Sequence, residues 1–400
     1  MSILKKPLKF TKISHTGGIK YATIMPYDVN ISYWELKSYF RGIDLIVIGS
    51  GIVGLNTAIY FKKNNPKAKV LVLEKGILPS GASTKNAGFA CFGSPSELLS
   101  DLKKMPEETV WETVKMRWDG LKLLRKNLGD KNIGFKHYGG YELFNKKDTY
   151  QDCRDAINYL NKKTKEYIGK PKAYSDSSIR SFGFKHISGI ISCNEEGQID
   201  TSEMFNSLLE LAQKNNITIL NGIEISSITD TKQGVELKSS FGVFKTKKVV
   251  VAVNGFAKDL LKIKDIAPAR AQVLITKPIK DLKIKGTFHY DEGFYYFRNI
   301  DNRILFGGGR NLDIKGETTT KIETTSKIQN QLEKLLRTVI IPGQKFGIEH
   351  RWAGIMGVGS EKKPIIKHYS PNVVCAIRMG GMGVAIGSLV GQEAAKLIAD

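Results

Sequence analysis

The chain of 400 residues is 41% hydrophobic and 25% charged, which excludes large-scale disorder and suits two domains or one large α/β unit. Its net charge of +22 comes mostly from lysines spread along the sequence, with no RNP motif, zinc knuckle or Arg-rich segment beside them. The charge is therefore read as solvation, and nucleic acid is not an expected partner.

No apolar run reaches the length of a membrane span, so no transmembrane helix is expected. The stretch MSILKKPLKF has lysines but neither an apolar core nor a small-residue cleavage site, which points to a cytoplasmic location rather than secretion. Cys91, Cys153, Cys193 and Cys375 are scattered and form no CxxC pair, so reduced thiols are expected and no metal site.

Residues 1–40 read as an N-terminal extension, with Gly17, Gly18 and Pro26 in it and a short helix near Ile31 to Phe40. Residues 44–75 then read as a complete βαβ unit. Asp44 to Ile48 is a short aliphatic strand suited to the middle of a parallel sheet. A helix follows with Val53, Leu55, Ala58 and Ile59 on its apolar face, ended by Asn64-Asn65-Pro66, and Val70 to Leu73 is the second strand. A Gly/Ser-rich stretch over 77–95 precedes helices from Ser96 to about Leu128. Residues 133–145 read as strand, with a helix after them to about Glu166. Asp200 opens a helix with Glu203 at capping-box spacing, running to Asn215. Strands are expected around Ile217–Leu220 and Val235–Lys238 and over 248–253. Residues 271–310, rich in β-branched and aromatic side chains, read as antiparallel sheet. Residues 318–337 read as helix, and from Val373 a strand, a glycine-rich turn and a final helix close the chain.

Gly49-Ser50-Gly51-Ile52-Val53-Gly54 fits GxGxxG between a strand and a helix, with Glu74 at the end of the next strand. Gly49 permits the tight turn, Gly51 lets the backbone approach a pyrophosphate, and Gly54 lets helix and strand pack closely. The helix N-terminus offers free N–H groups and a positive dipole end to phosphates. Glu74 is placed to accept hydrogen bonds from a ribose. FAD and NAD both use such a turn.

The stretch VIGSGIVG…VLVLEKG followed by GASTKNAGFACFG resembles the start of the D-amino-acid-oxidase-like superfamily of flavoproteins, which includes relatives of glycine oxidase, sarcosine oxidase and gamma-glutamylputrescine oxidase. The resemblance continues at Gly197–Asp200, Val251–Gly255, Arg270–Gln272 and Arg351–Gly354, and ends at Gly380-Gly381-Met382-Gly383-Val384. It implies FAD as the cofactor, wrapped by the backbone of Ser83, Thr84, Lys85, Asn86, Ala87 and Gly88. Lys75, Ile225, Asn254 and Gly255 are assigned to the same cofactor surface. Gly381, Met382, Gly383 and Val384 would bring main-chain N–H groups to the flavin pyrimidine, where negative charge develops on reduction. The implied fold is α/β (α+β overall): a Rossmann-like FAD-binding domain from 41–95, 195–270 and 341–400, with a predominantly antiparallel-sheet substrate domain from 96–194 and 271–340. There is no second GxGxxG and no redox CxxxxC, so one flavin should take electrons from a small organic molecule.

The implied reaction is oxidation of a small amine or amino acid by hydride transfer to the flavin, with oxygen or another acceptor taking the electrons onward. The alternatives are a 2-hydroxy-acid or glycerophosphate dehydrogenase of the same superfamily, a tRNA-modifying flavin oxidoreductase, or a flavin-binding protein without catalysis. Noncovalent attachment is expected: Trp352–Pro364 contains no Cys, and Lys85 stands where some relatives carry a His. The carboxylate-binding arginines of glycine-oxidase-like members are missing near Met356 and Gly381. Tyr295, Arg298 and Arg310 are therefore the candidate substrate contacts, the first two on the strand Phe294–Arg298. His289 and His137 read as packing or surface residues, and no catalytic residue is assigned.

Overall fold

A computed structural model of the protein describes residues 30–178 and 182–400. Gly17, Gly18 and Pro26 lie outside these residues. The short helix expected near Ile31 to Phe40 is present. Tyr33–Glu35 is closed by a capping box between Ser32 and Glu35 and continues as a π-helical turn over Leu36–Phe40. Phe40 is buried against Phe241 and Phe244, which anchors the segment to the body.

The expected βαβ unit is also present. Leu45–Ile48 and Val70–Leu73 pair in parallel, with Ile52–Asn64 as the crossover helix. All eight strand residues are buried, which explains aliphatic runs rather than alternation. These strands sit inside a six-stranded sheet ordered 365–370, 373–377, 248–251, 45–48, 70–73, 218–220. Only the pairing of the first two is antiparallel.

One face of this sheet is covered by the helices Ile52–Asn64, Thr201–Lys214 and Gly383–Ala399, with Glu107–Leu128 packed against them in one hydrophobic cluster. The nucleotide helix and the C-terminal helix approach closely at glycines. A Cβ on Gly387 would come within 2.7 Å of Ile52 Cγ2, and one on Gly391 within 2.7 Å of the Val53 carbonyl. The other face carries the antiparallel ribbon Ile225–Thr231, Gly234–Ser239 and Val243–Thr246.

The second body is an eight-stranded sheet ordered 348–358, 267–276, 303–308, 295–300, 287–290, 140–144, 189–193, 174–177. Its pairs are antiparallel except Thr287–Tyr290 with Gly140–Phe144. Its outer face packs on helix Ser326–Leu335.

Two boundaries differ from the sequence reading. The strand expected over 133–145 is confined to Gly140–Phe144, preceded by a 3-10 turn at Lys131–Ile133. The helix expected over 318–337 begins at Ser326, because the threonine-rich stretch before it contains β-branched residues that also bond the backbone locally, as Thr318 does to the Ile314 carbonyl. The helices expected from Ser96 to about Leu128 are present as Pro95–Leu102 and Glu107–Leu128, parted before Pro106. Among the described residues no helix is long and apolar enough to cross a membrane, and no cluster of metal-ligating side chains occurs. The four cysteines are free and buried.

Candidate active site

The glycine turn has the geometry its residues require. Gly49 has φ +101°, and a Cβ there would lie 2.8 Å from the Ala252 carbonyl oxygen. A Cβ on Gly54 would lie 1.9 Å from the Gly49 oxygen, so only glycine allows the helix to start this close to its strand. Gly51 is the N-cap and has no side chain to cap the helix. Ser83 supplies that bond from elsewhere: its Oγ accepts from Ile52 N at 2.9 Å. This contact ties the 81–88 loop to the helix N-terminus. Glu74 is buried; its Oε2 accepts from Ser50 N and Ser50 Oγ at 3.1 and 2.8 Å, and its Oε1 from Gly76 N at 3.0 Å.

The 81–88 loop is fixed by its own polar side chains and three neighbours, Thr201, Trp352 and Ile199. Thr84 Oγ1 donates to the Pro79 carbonyl (2.8 Å), and Asn86 Nδ2 to that of Ser83 (2.8 Å). Asn86 Oδ1 accepts from Gly88 N and Thr201 Oγ1. Trp352 Nε1 donates to the Lys85 carbonyl at 3.0 Å, and Ile199 N to that of Gly88 at 2.8 Å. At the C-terminal end, Asn254 Oδ1 accepts from Arg378 N and Met379 N, both at 3.1 Å. That shapes the turn Gly380-Gly381, with φ +57° and +85°, before helix Gly383–Ala399, whose N-terminus carries no side-chain cap.

Both helix N-termini open onto one cavity of about 1060 Å³ between the two sheets. Gly49, Gly51, Ile52, Val53, Glu74, Lys75, Ser83 to Gly88, Ile225, Asn254 and Gly381 to Val384 all line it, as does Arg310. Gly54 and Gly255 lie behind the lining and permit close backbone packing instead, Gly255 against the Met356 carbonyl.

Two of the substrate-contact candidates are placed elsewhere. Tyr295 faces the opposite side of its strand, in the core with Phe297, Phe288 and Phe306. Tyr296, one residue on, lines the cavity beside its cross-strand partner His289. Strand parity puts alternate residues on one face, but it does not say which set faces the ligand. Arg298 shares the Tyr296 face yet is covered by the loop, with Nη2 2.9 Å from where a Gly88 Cβ would stand. It is 2% exposed and does not line the cavity.

The structure also assembles polar groups that the sequence reading did not collect. Glu97 lines the cavity and pairs with Arg117 (3.2 Å) and Lys362 (2.8 Å), and Lys362 also reaches Asp101 (2.7 Å). Burial pushes the Glu97 carboxyl up, but the Arg117 and Lys362 charges outweigh it and hold it far below the usual carboxylate range. His289 lines the same wall, and burial pulls its pKa down against the opposing charge of Glu97, so it is neutral at pH 7. Burial pushes the Tyr296 phenol up to about 12 and the Cys91 thiol well above its ordinary value. Glu97, His289 and Lys362 come from a helix, a strand and a loop. Each is individually ordinary in sequence, and a carboxylate in a first helical turn is what the helix dipole favours anyway. His137, by contrast, stacks on Phe135 and is not part of the cavity.

A glycine cradle that a Cβ would fill, two helix N-termini and an elongated cavity under an antiparallel sheet fit a dinucleotide with a flavin end; this is the architecture of a flavin-dependent oxidoreductase. The chain belongs to the FAD dependent oxidoreductase family (DAO), whose model matches residues 44–397, and its cofactor is FAD. Among solved structures it is similar to L-proline dehydrogenase from P. horikoshii, with 20% identity, 89% of this chain and 93% of that one covered, and a TM-score of 0.71. It is similar to glycine oxidase from Bacillus cereus ATCC 14579 at 17% identity, with 89% and 95% covered and a TM-score of 0.69. It is likewise similar to L-amino acid deaminase from Proteus vulgaris, at 18% identity, 90% and 91% covered and a TM-score of 0.70. At these identities the likeness is one of fold. No curated protein matches the chain.

Proposed function

We propose that the protein oxidises a small amine or amino acid, binding its acidic or polar end through Arg310. The observation that carries this reading is a guanidinium, that of Arg310, on the cavity wall with no ion-pair partner among the described residues. Arg310 and Asn311 both line the cavity, and Arg310 Nε and Asn311 Oδ1 are buried without hydrogen-bond partners. The only protein hydrogen bond of the Arg310 side chain among the described residues is a long one, Nη2 to Thr318 Oγ1 at 3.5 Å, which leaves the guanidinium available to a ligand. A guanidinium suits a carboxylate, held by parallel hydrogen bonds. Relatives of similar fold include proteins described as acting on proline, glycine and other amino acids, which supports an amino-acid-like substrate.

FAD supplies the hydride acceptor. The chain's own groups do the rest. Arg310 orients the substrate, and Phe89, Tyr296 and His289 wall its reacting end from water. Glu97 stays ionised on the cavity wall, held between Arg117 and Lys362. The N-termini of Ile52–Asn64 and Gly383–Ala399 direct positive dipole ends toward the phosphates and the reduced ring respectively. In this reading the six-stranded sheet with its helices carries the cofactor, and the eight-stranded sheet roofs the substrate.

Purified protein should carry noncovalent FAD, all of it released into the supernatant on denaturation. The support is that the cavity-lining cysteine, Cys91, is held as an unreactive thiol. Flavin retained on the precipitate would reverse this expectation. Anaerobic mixing with a panel of amines, amino acids and 2-hydroxy acids should bleach the flavin with an amine or amino acid; bleaching by hydroxy acids alone would favour the dehydrogenase alternative. Arg310→Met keeps bulk and removes charge. Losing one charge-assisted contact, about 1.5–3 kcal/mol, should weaken an acidic substrate roughly ten- to a hundredfold with FAD content unchanged. Wild-type kinetics in that variant would remove Arg310 as the anchor.

A further inference from the structure

Arg298 is a cation buried without an ion-pair partner. Its side chain is 2% exposed, and Nε makes no hydrogen bond. No carboxylate lies within ion-pair distance among the described residues; Asp200 and Asp301 act on it only from farther away. Burial lowers its pKa to about 10, with those two aspartates opposing, so it stays charged at neutral pH. Stability alone gives no reason to keep it, because an unpaired buried charge is among the most costly features a core can hold.

Its position supplies a reason. Arg298 lies on the strand Tyr295–Ile300, with Tyr296 on the same face lining the cavity. Its guanidinium presses on Gly88 from behind, where any side chain would collide: a Cβ at Gly88 would stand 2.9 Å from Nη2 and 3.2 Å from Cζ. Gly88 has φ +70°, and its other side lines the cavity beside Ala87 and Phe89. One thickness of main chain thus separates a desolvated positive charge from the cavity. In a poorly screened interior such a charge acts strongly over that distance.

We infer that Arg298 is a positioning residue for the cofactor, its unneutralised charge behind the 83–88 loop favouring the reduced, negatively charged flavin over the oxidised, neutral one. The inference rests on the proposal that this loop borders the flavin. Two-electron reduction of FAD with uptake of one proton adds one negative charge to the ring system, and the electrons come from the substrate. A fixed positive charge nearby stabilises that product and raises the reduction potential. The device uses electrostatics rather than contact with substrate, which is why Arg298 need not reach the cavity.

The test measures the midpoint potential of bound FAD, by equilibration with reference redox dyes, in the wild-type protein and in Arg298→Lys, Arg298→Gln and Arg298→Met. No substrate is needed. Gln and Met should each lower the equilibrium constant for reduction at least tenfold, about 30 mV for a two-electron couple. Lys, which keeps the charge, should stay within about threefold of wild type, or about 15 mV. A merely structural role would reduce FAD content or thermal stability and leave the potential of the remaining bound flavin unchanged. Gln or Met variants with bound FAD at the wild-type potential overturn the inference, and so does a Lys variant that falls with them. If Gln and Met hold no FAD, the Lys variant decides: wild-type potential supports the role of charge, and loss of FAD there too refutes it. Wild-type protein that binds no FAD would instead strike at the cofactor site itself.

Discussion

Gly51→Val is expected to yield folded protein without flavin. A Cβ at Gly51 would stand 2.9 Å from Ser83 Oγ, the atom that accepts from Ile52 N. Valine must displace Ser83, which breaks the tie between the nucleotide helix and the 81–88 loop. Its two methyl groups then occupy the space the backbone leaves for a pyrophosphate. The losses would combine, because the same substitution would block phosphates from the helix N–H groups and loosen the loop proposed to border the flavin. Two charge-assisted hydrogen bonds together contribute about 3–6 kcal/mol, so FAD affinity should fall by roughly two to four orders of magnitude. The measurement is the ratio of flavin absorbance to protein after purification and after adding FAD back, with circular dichroism to check the fold. The sheet should survive, since Gly51 lines the cavity and a Cβ there meets only Ser83. A fully loaded valine variant would mean that this turn is not the nucleotide site.

How much of this was legible in sequence depends on the range of the cause. The glycine turn was readable because its demands are local: a positive φ at Gly49 and a forbidden Cβ at Gly54 leave only glycine acceptable there. The partners of Leu45–Ile48 were not readable as a sheet order, because one of them, Lys248–Val251, lies about two hundred residues away, and Val373–Ile377 beyond it is farther still. Tyr295 and Tyr296 show the same limit on the scale of one residue. Both are aromatic on one strand, and only the packing of Tyr295 against Phe306 on the face away from the cavity assigns Tyr296 to the cavity. The cluster of Glu97, His289 and Lys362 was invisible because proximity alone makes it a site. Arg298 reads in the sequence as a candidate substrate contact, but its burial behind Gly88 depends on how a loop more than two hundred residues earlier lies over the strand.

Raising the pH from 5 to 8.5 should destabilise the wild-type protein relative to Glu142→Gln by about 2.5 kcal/mol. Glu142 is 2% exposed on the strand Gly140–Phe144, directly across from His289 on the neighbouring strand. Its carboxyl accepts from Ser96 N at 2.9 Å and bonds Ser96 Oγ. Burial raises its pKa to about 7 despite those bonds, with the nearby negative charge of Glu97 adding to the rise. The folded state therefore holds a proton that the unfolded chain releases at about 4.5. That stabilisation is complete below the unfolded value and is lost as pH rises through about 7, at about 1.4 kcal/mol per pKa unit. Glutamine keeps the shape and can still accept from Ser96 N, but it has no proton to lose. The comparison must be between the two proteins at each pH, because other groups move the absolute curve. Glu196, also raised to about 7 by burial, gives the same sign in both. His289, lowered by burial, gives the opposite sign below about pH 6.5 in both, since the unfolded chain then gains a proton that the folded state resists. Denaturant unfolding of FAD-loaded protein across this range gives the difference directly. The two curves should diverge from about pH 5 to about pH 7 and run parallel above about pH 7.5, with the variant the more stable. Curves parallel throughout would show that Glu142 ionises normally in the folded protein and that its buried environment is more polar than the Ser96 contacts alone provide.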